Sequence, residues 1–320
     1  MSFDAKDRHL LFLLEQNSRA SLTRLAGGLR LSREAVNYRI KKLQDAGIIK
    51  SFIVETSFSR LGLATHSAYL KLSNLSASDY SDFLAKLSEN RQIIWLASLG
   101  GRFDLTIETS ASDIPEADSF FSGLLNEHAA YVRNCIIVPR VFEHAFGRKY
   151  LWPEKAPAEK KQNARPSGVF RPDALDVKIL SALSSEARLP VTELGRRVGE
   201  APSTVSYRLK QLEREGVIDG YSVFTQTEAL GYSRFKSLIT VREFSREGER
   251  KILAFCRTHP NVYYINKTLG SWNFEIEVDV QTPMEYQQFL LDFRSRFDST
   301  IQEIESLSIF KEHVFKFWPY

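Results

Sequence analysis

The chain has 320 residues, a formal charge of +4 and 43% hydrophobic residues, so it is too long for one small core and too apolar for a disordered tail. It has no apolar run near the ~20 residues that span a bilayer, and its opening Met1-Ser-Phe-Asp-Ala-Lys-Asp lacks the plan of a secretion signal; a cytoplasmic protein with no membrane partner is expected. Cys135 and Cys256 lie far apart in apolar-patterned stretches, which excludes a disulfide scaffold and CxxC chemistry and predicts buried structural thiols.

In chain order, the first signals are helical. Leu10, Leu11 and Leu14 share one face of 7–16, and Leu22, Leu25, Ala26 and Leu29 share one face of 22–29. After a short turn at Arg30-Leu31, residues 32–47 place Val36, Ile40 and Leu43 at i, i+4 and i+7, a stripe that can be buried while the other face stays polar. Ser32 suits the N-cap and Gly47 a left-handed stop. Three short helices joined in this way form a helix-turn-helix. The pattern then turns extended at 48–55. Strands are predicted at 68–72, 93–99, 104–109 and 132–142, with helices at 79–88 and 115–125 and a turn at Gly100-Gly101. The order βαββαβ is the ferredoxin-like plan. Its helices cover one face of the sheet, so the other face needs a partner.

Residues 153–168, rich in Pro and Lys, have no hydrophobic period and read as a flexible, partly extended tether. Beyond it the whole plan recurs. One offset of 169 pairs Asp7 with Asp176, Arg19 with Arg188, Tyr38 with Tyr207, Gly47 with Gly216, Gly101 with Gly270, and Glu143-His144 with Glu312-His313. The chain is therefore a tandem duplication. The second helix-turn-helix keeps the stripe as Val205, Leu209 and Leu212 and has Pro202 in its first turn. The second sheet unit reads as strands at 237–241, 262–268, 273–280 and 301–317 with helices at 248–257 and 283–297. The expected fold class is α+β, with two winged-type helix-turn-helix domains (1–52 and 171–221), two ferredoxin-like domains (53–152 and 222–320) and a linker at 153–170. Residues 4–50 hold 10 Lys/Arg against 5 Asp/Glu, whereas 171–220 hold 8 of each, so the two copies are electrostatically unequal.

The run Ser-x-x-Ala-Val-x-x-Arg-Ile-x-x-Leu-x-x-x-Gly-Ile-Ile at 32–49, followed by βαββαβ with Gly-Arg-Phe-Asp-Leu at 101–105, resembles the Lrp/AsnC (feast/famine) family of transcription regulators. The resemblance covers nearly the whole chain twice. It implies DNA-binding modules, ligand-sensing and oligomerisation modules, and amino acids or related metabolites as effectors. Family members usually carry one such unit and dimerise through their sheets, so this chain is expected to self-associate, either as an intrachain pseudo-dimer or as a homo-oligomer.

For contact with double-stranded DNA, the candidates in the first copy are Arg33, Glu34, Asn37, Tyr38 and Lys41. They oppose the apolar stripe, where Arg can read guanine, Asn can read adenine, and Tyr and Lys can reach phosphate. The matched positions in the second copy are Pro202, Ser203, Ser206, Tyr207 and Lys210, with Thr204 beside them. Arg33 and Asn37 have become Pro202 and Ser206, so the second module is expected to discriminate less, and it could instead be a structural or interaction module. Arg39 and Arg208 recur beside the tyrosine and are either phosphate clamps or partners of an acid on a neighbouring helix.

For an effector, the candidates are Gly100, Gly101 and Asp104, and Gly270 and Asn273. A glycine turn can offer N–H groups to a carboxylate, and Asp can accept an ammonium; a plain capped turn is the structural alternative. His144 and His313, in the last strand of each unit, distantly suggest tetrapyrrole (haem-pathway) decarboxylases built on the same architecture, against the simpler reading of strand histidines. No catalytic triad, metal-ligand spacing or phosphate-cradling GxxxxGK is present, so catalytic residues, metals and cofactors are expected to be none.

Overall fold

Capping fixes where each helix of the N-terminal module starts. The Asp4 carboxylate accepts from the Asp7 N–H ahead of α1 (Ala5–Gln16), Ser21 caps α2 (Leu22–Leu29), and the Ser32 hydroxyl accepts from the Ala35 N–H at 3.1 Å ahead of α3 (Arg33–Asp45). Gly47 follows with φ 69°, the left-handed stop its position predicts. A computed structural model describes residues 3–155, 159–163, 168–184, 186–243 and 245–318 of the chain.

The second module repeats this arrangement. Its helices are α6 (Ala174–Leu183), α7 (Val191–Val198) and α8 (Pro202–Arg214), with Gly216 at φ 66°. The Asp173 carboxylate caps α6, whereas α8 starts on Ala201 without a side-chain cap and has Pro202 in its first turn. The two modules are not independent. Leu10, Val36 and Leu43 of the first and Leu180, Val205 and Leu212 of the second belong to one continuous buried cluster, joined by Trp318.

β1 (Ile49–Thr56) and β7 (Ile218–Thr225) pair antiparallel with each other, Ile49 opposite Thr225 and Thr56 opposite Ile218. Each strand therefore runs on past the expected module boundary and pairs with its counterpart in the other repeat. The turns after the first helices cross over as well: the Ser18 N–H donates to the Tyr221 carbonyl at 3.0 Å, and the Ala187 N–H to the Phe52 carbonyl at 2.7 Å.

The sheet units follow the expected order, most strands and helices running a few residues longer. The first holds β2 (Ala64–Leu72), α4 (Ala77–Glu89), β3 (Ile93–Gly100), β4 (Leu105–Ala111), α5 (Ile114–Glu127) and β5 (Val132–Ala145). The second holds β8 (Ser233–Val241), α9 (Arg246–Thr258), β9 (Val262–Thr268), β10 (Phe274–Val280), α10 (Pro283–Phe297) and β11 (Ile301–Phe315). The last strand of each unit serves both sheets. β5 pairs with β2 up to Pro139 and with β9 from Arg140 on, and β11 pairs with β8 up to Ile309 and with β3 from Ser308 on. The order β2-β4-β3-β11-β8-β10-β9-β5 thus closes on itself through β2–β5. The uncovered face of each ferredoxin-like sheet finds its partner inside the same chain.

Alternation separates the two faces of this ring. In β10, Phe274, Ile276, Val278 and Val280 pack with Phe255, Phe289 and Phe293 of α9 and α10, while Glu275, Glu277 and Asp279 lie between them in sequence and face inward. In the first unit Leu70, Leu105 and Ile107 pack with Phe83 and Phe121 of α4 and α5, while Tyr69, Trp95 and Phe103 point inward to meet Leu238, Trp272 and Leu307 of the second unit.

The tether is more than a solvated spacer. Lys160–Asn163 forms β6, which adds antiparallel to β5, and the Glu159 carboxylate pairs with His144 Nδ1 at 2.6 Å and Arg257 Nε at 2.8 Å. Positions 156–158 and 164–167 lie outside the described residues.

Candidate DNA interface and effector site

α3 buries Val36, Ile40 and Leu43 and leaves Arg33, Glu34, Asn37, Tyr38 and Lys41 exposed, with Tyr38 70% accessible. Tyr38 and Lys41, at i and i+3, share this exposed face. In α8, Ser203, Tyr207 and Lys210 are exposed, Tyr207 to 63%, while Thr204 and Ser206 are half-buried. The structure brings each sequence-predicted set onto one helix face.

Arg39 and Arg208 are the exceptions. Arg39 Nη1 lies 2.6 Å from Asp7 Oδ1 and 2.8 Å from Asp4 Oδ2, and Lys42 Nζ lies 3.0 Å from Asp7 Oδ2. Arg208 Nη1 lies 2.7 Å from Asp173 and 3.3 Å from Asp176. Asp7 and Asp176 are buried at the base of the first helix, and a buried carboxylate requires a cation. These arginines lock α3 to α1 and α8 to α6, so of the two readings the structure shows the ion pair to a neighbouring helix.

The glycine turns are likewise structural in geometry. Asp104 Oδ2 accepts from the Leu72 N–H at 2.7 Å and Oδ1 from Lys71 Nζ at 3.0 Å; Asn273 Oδ1 accepts from the Val241 N–H at 2.9 Å. A Cβ at Gly100 would collide with the Phe310 ring, and one at Gly101 would sit 3.1 Å from Leu307, so β11 covers this turn. Gly270 has φ 111° and stays open, a Cβ there meeting only Val138 at 4.0 Å. His313 Nε2 lies 2.7 Å from Ser98 Oγ, and His144 is held by Glu159. Both are strand residues with partners of their own.

Sequence reasoning missed the charged seam between the sheets. Arg140 bridges Glu108 and Glu143, the latter at 2.6 Å, and Arg234 bridges Asp279 at 2.6 Å and Glu312 at 3.1 Å, with Glu277 at 3.8 Å. Glu108 and Glu277, and Glu143 and Glu312, are related by the repeat offset, yet the arginines come from different strands, β5 and β8. Lys236, fully buried, meets Glu275 at 3.3 Å and Glu277 at 3.2 Å. Burial opposes its charge, but Tyr69, Glu275 and Glu277 outweigh that and hold the ammonium firmly protonated. The legible signal was Arg234-x-Lys236 facing Glu275-x-Glu277-x-Asp279, opposite charges on the inward positions of adjacent strands.

Of these groups Glu108, Arg140, Glu143, Arg234, Glu277 and Glu312 line a cavity at the seam, with Trp95, Phe58 and Phe315 among its walls and a volume of about 60 Å³. Burial pushes the Glu143 carboxyl up to about 7, Arg140 opposing and Glu108, Glu277 and Glu55 adding repulsion. Burial also raises Glu312. From the cavity a chain of charges leads to the DNA-binding core: Arg234 to Asp279, Asp279 Oδ2 to Arg148 Nε at 3.6 Å, and Arg148 to Glu15 on α1.

Two winged modules with tyrosine-bearing helices on one fused core, standing on a ring of two ferredoxin-like sheets, define a DNA-binding regulator folded as a one-chain pseudo-dimer. Residues 3–50 and 172–219 each match the family described as winged helix-turn-helix DNA-binding. The transcriptional regulator AldR of Mycolicibacterium smegmatis is 30% identical over 144 residues, 44% of this chain and 82% of that protein. The regulatory protein AsnC of Haemophilus influenzae is 27% identical over 135 residues, 42% of this chain and 89% of that protein. The chain belongs to the Lrp/AsnC family of transcription regulators. The siroheme decarboxylase NirDL has a crystal structure that superposes with a TM-score of 0.64 at 12% identity, over 99% of this chain and 94% of that one; what the two share is the fold. Among the described residues, no helix is long and apolar enough to cross a membrane.

Proposed function

We propose that this regulator reads two unequal half-sites with a single chain. α3 enters one major groove, with Arg33 and Asn37 positioned for base edges and Tyr38 and Lys41 for phosphate, and α8 supplies mainly phosphate contacts through Tyr207 and Lys210. The observation that carries this reading is the exposure of both tyrosines, 70% and 63%, on helices anchored in one shared core. An amino acid or related metabolite as effector accords with the family. The relatives' names support regulation, and the reading includes no catalytic step.

The test is affinity for DNA upstream of the chain's own coding region, measured against salt for wild type, Asn37→Ala/Lys41→Ala and Ser206→Ala/Lys210→Ala. Both double variants should weaken binding and flatten the salt slope, since each removes a phosphate contact. Only the first should lose discrimination against random DNA. Loss confined to the first variant would reduce the second module to a tethered partner, and wild-type binding no better than to random DNA in a genome-wide selection would overturn the reading.

The whole-chain likeness to NirDL, also solved with an iron-uroporphyrin III analogue, favours a tetrapyrrole decarboxylase as the second reading. The seam speaks against it, because a cavity with more glutamates than arginines repels a polycarboxylated macrocycle. Titration with an iron tetrapyrrole should leave the Soret band unshifted; a saturable shift would favour the enzyme.

A further inference from the structure

The polar wall of the seam cavity carries Glu108, Glu143, Glu277 and Glu312 against Arg140 and Arg234. Lys316 also lines the cavity, but its Nζ donates outward to the Arg91 carbonyl at 2.8 Å. Lys236 stands behind the wall, already shared between Glu275 and Glu277. Among the described residues the site is therefore short of positive charge. A second observation points the same way. Asn266 lines the cavity, is only 3% exposed, and its Oδ1 has no donor, whereas buried acceptors are ordinarily satisfied. The wall thus offers spare acceptors, and the rings of Trp95, Phe58 and Phe315 give an apolar and π-rich lining that suits a cation with a short hydrocarbon body.

We propose that this cavity is a binding site for a small organic cation, a short-chain primary amine or diamine, whose ammonium is received by the four glutamates that share two arginines and by Asn266 Oδ1. The volume of about 60 Å³ accommodates a few water-sized groups, which fits a four-carbon amine. A carboxylate on the ligand would meet the glutamates, so zwitterions and acids are disfavoured. The site lies at the seam of the two sheet units, away from the glycine turns, and it goes beyond the DNA-binding reading because occupancy is measured without DNA.

The experiment is calorimetry on the full chain with n-butylamine and 1,4-diaminobutane, against 1-butanol, butyrate and 4-aminobutyrate as controls. The amines should bind saturably at millimolar or lower concentration and raise the melting temperature, while the controls should not. Glu143→Gln, which keeps shape and removes charge, should weaken amine binding at least tenfold; Asn266→Leu, which removes the acceptor and fills the space, should abolish it. If Glu143→Gln fails to melt cooperatively, Asn266→Leu decides alone, and if that also fails, a competing titration with tetramethylammonium, which lacks N–H donors and should not displace the amine, decides. No saturable amine binding to folded wild type, equal binding of butanol or 4-aminobutyrate, or undiminished binding by the folded variants would overturn the proposal.

Discussion

Arg19 and Arg188, one repeat apart, clasp each other's loops. Arg19 Nη1 donates to the Ala187 carbonyl at 2.5 Å and the Leu189 carbonyl at 3.2 Å, and Arg188 Nη1 donates to the Ser18 carbonyl and, at 3.2 Å, to the Ala20 carbonyl. Each guanidinium also lies over an aromatic ring of the opposite unit, Arg19 over Tyr221 at 5.2 Å and Arg188 over Phe52 at 5.4 Å. The pair cross-braces the two DNA-binding modules, which fixes the spacing of their recognition helices.

Arg19→Ala/Arg188→Ala should therefore act on stability and on geometry together. Each lost set of charge-assisted bonds is worth roughly 1.5–3 kcal/mol, and denaturant midpoints should fall accordingly. The wild type should prefer one separation of half-sites, because a rigid frame matches one helical phase of DNA. In a gel-shift series with half-sites moved apart in single base pairs, the double variant should show a flatter dependence on separation than the wild type.

The fold was largely legible because local rules and the repeat agreed. Val36, Ile40 and Leu43 announced a helix face, Ser32 and Gly47 its ends, and every reading could be made twice at one offset. What could not be read was what crosses between the units. The passage of β5 from β2 to β9 and the covering of Gly100 by Phe310 depend on partners more than 100 residues away, and periodicity carries no information about them. The Arg39 alternative stayed open for the same reason: spacing places it on the polar face, but only the three-dimensional position of Asp7 shows what it binds.

Arg39 and Lys41, two residues apart, should separate structure from recognition. Arg39→Ala leaves the buried Asp7 with less counter-charge, so it should cost about 2 kcal/mol in urea unfolding while the salt slope of DNA binding by the folded protein stays unchanged. Lys41→Ala should do the reverse: little change in stability at an exposed site, and a slope reduced by about one.

Lys236 is the charge the inner wall can least spare. Lys236→Met removes the cation between Glu275 and Glu277 and should destabilise the chain by about 3–5 kcal/mol, the usual consequence of orphaning a buried ion. Removing the stranded charge should restore part of that, so Lys236→Met/Glu275→Gln is expected to melt above the single variant. A double variant that melts below both single variants would show that Glu275 serves other partners more than Lys236; Trp272 Nε1, which donates to its Oε1 at 2.9 Å, is the first to inspect.

Glu143 gives the seam a pH dependence whose sign is opposite to that of ordinary salt-bridged acids. Its folded carboxyl titrates at about 7 and its unfolded one near 4.3, so between those values the folded state holds the extra proton. By linkage, stability is greatest below the unfolded value and falls as pH rises from there to about 7, by up to roughly 3–4 kcal/mol from this group. Urea midpoints at pH 5 and pH 8 should therefore differ less for Glu143→Gln than for the wild type, with the variant gaining at the alkaline end. Arg140 would then need only Glu108, its remaining buried partner, and a variant that instead loses stability equally at both pH values would show that the Arg140–Glu143 bond matters more than the repulsion around it.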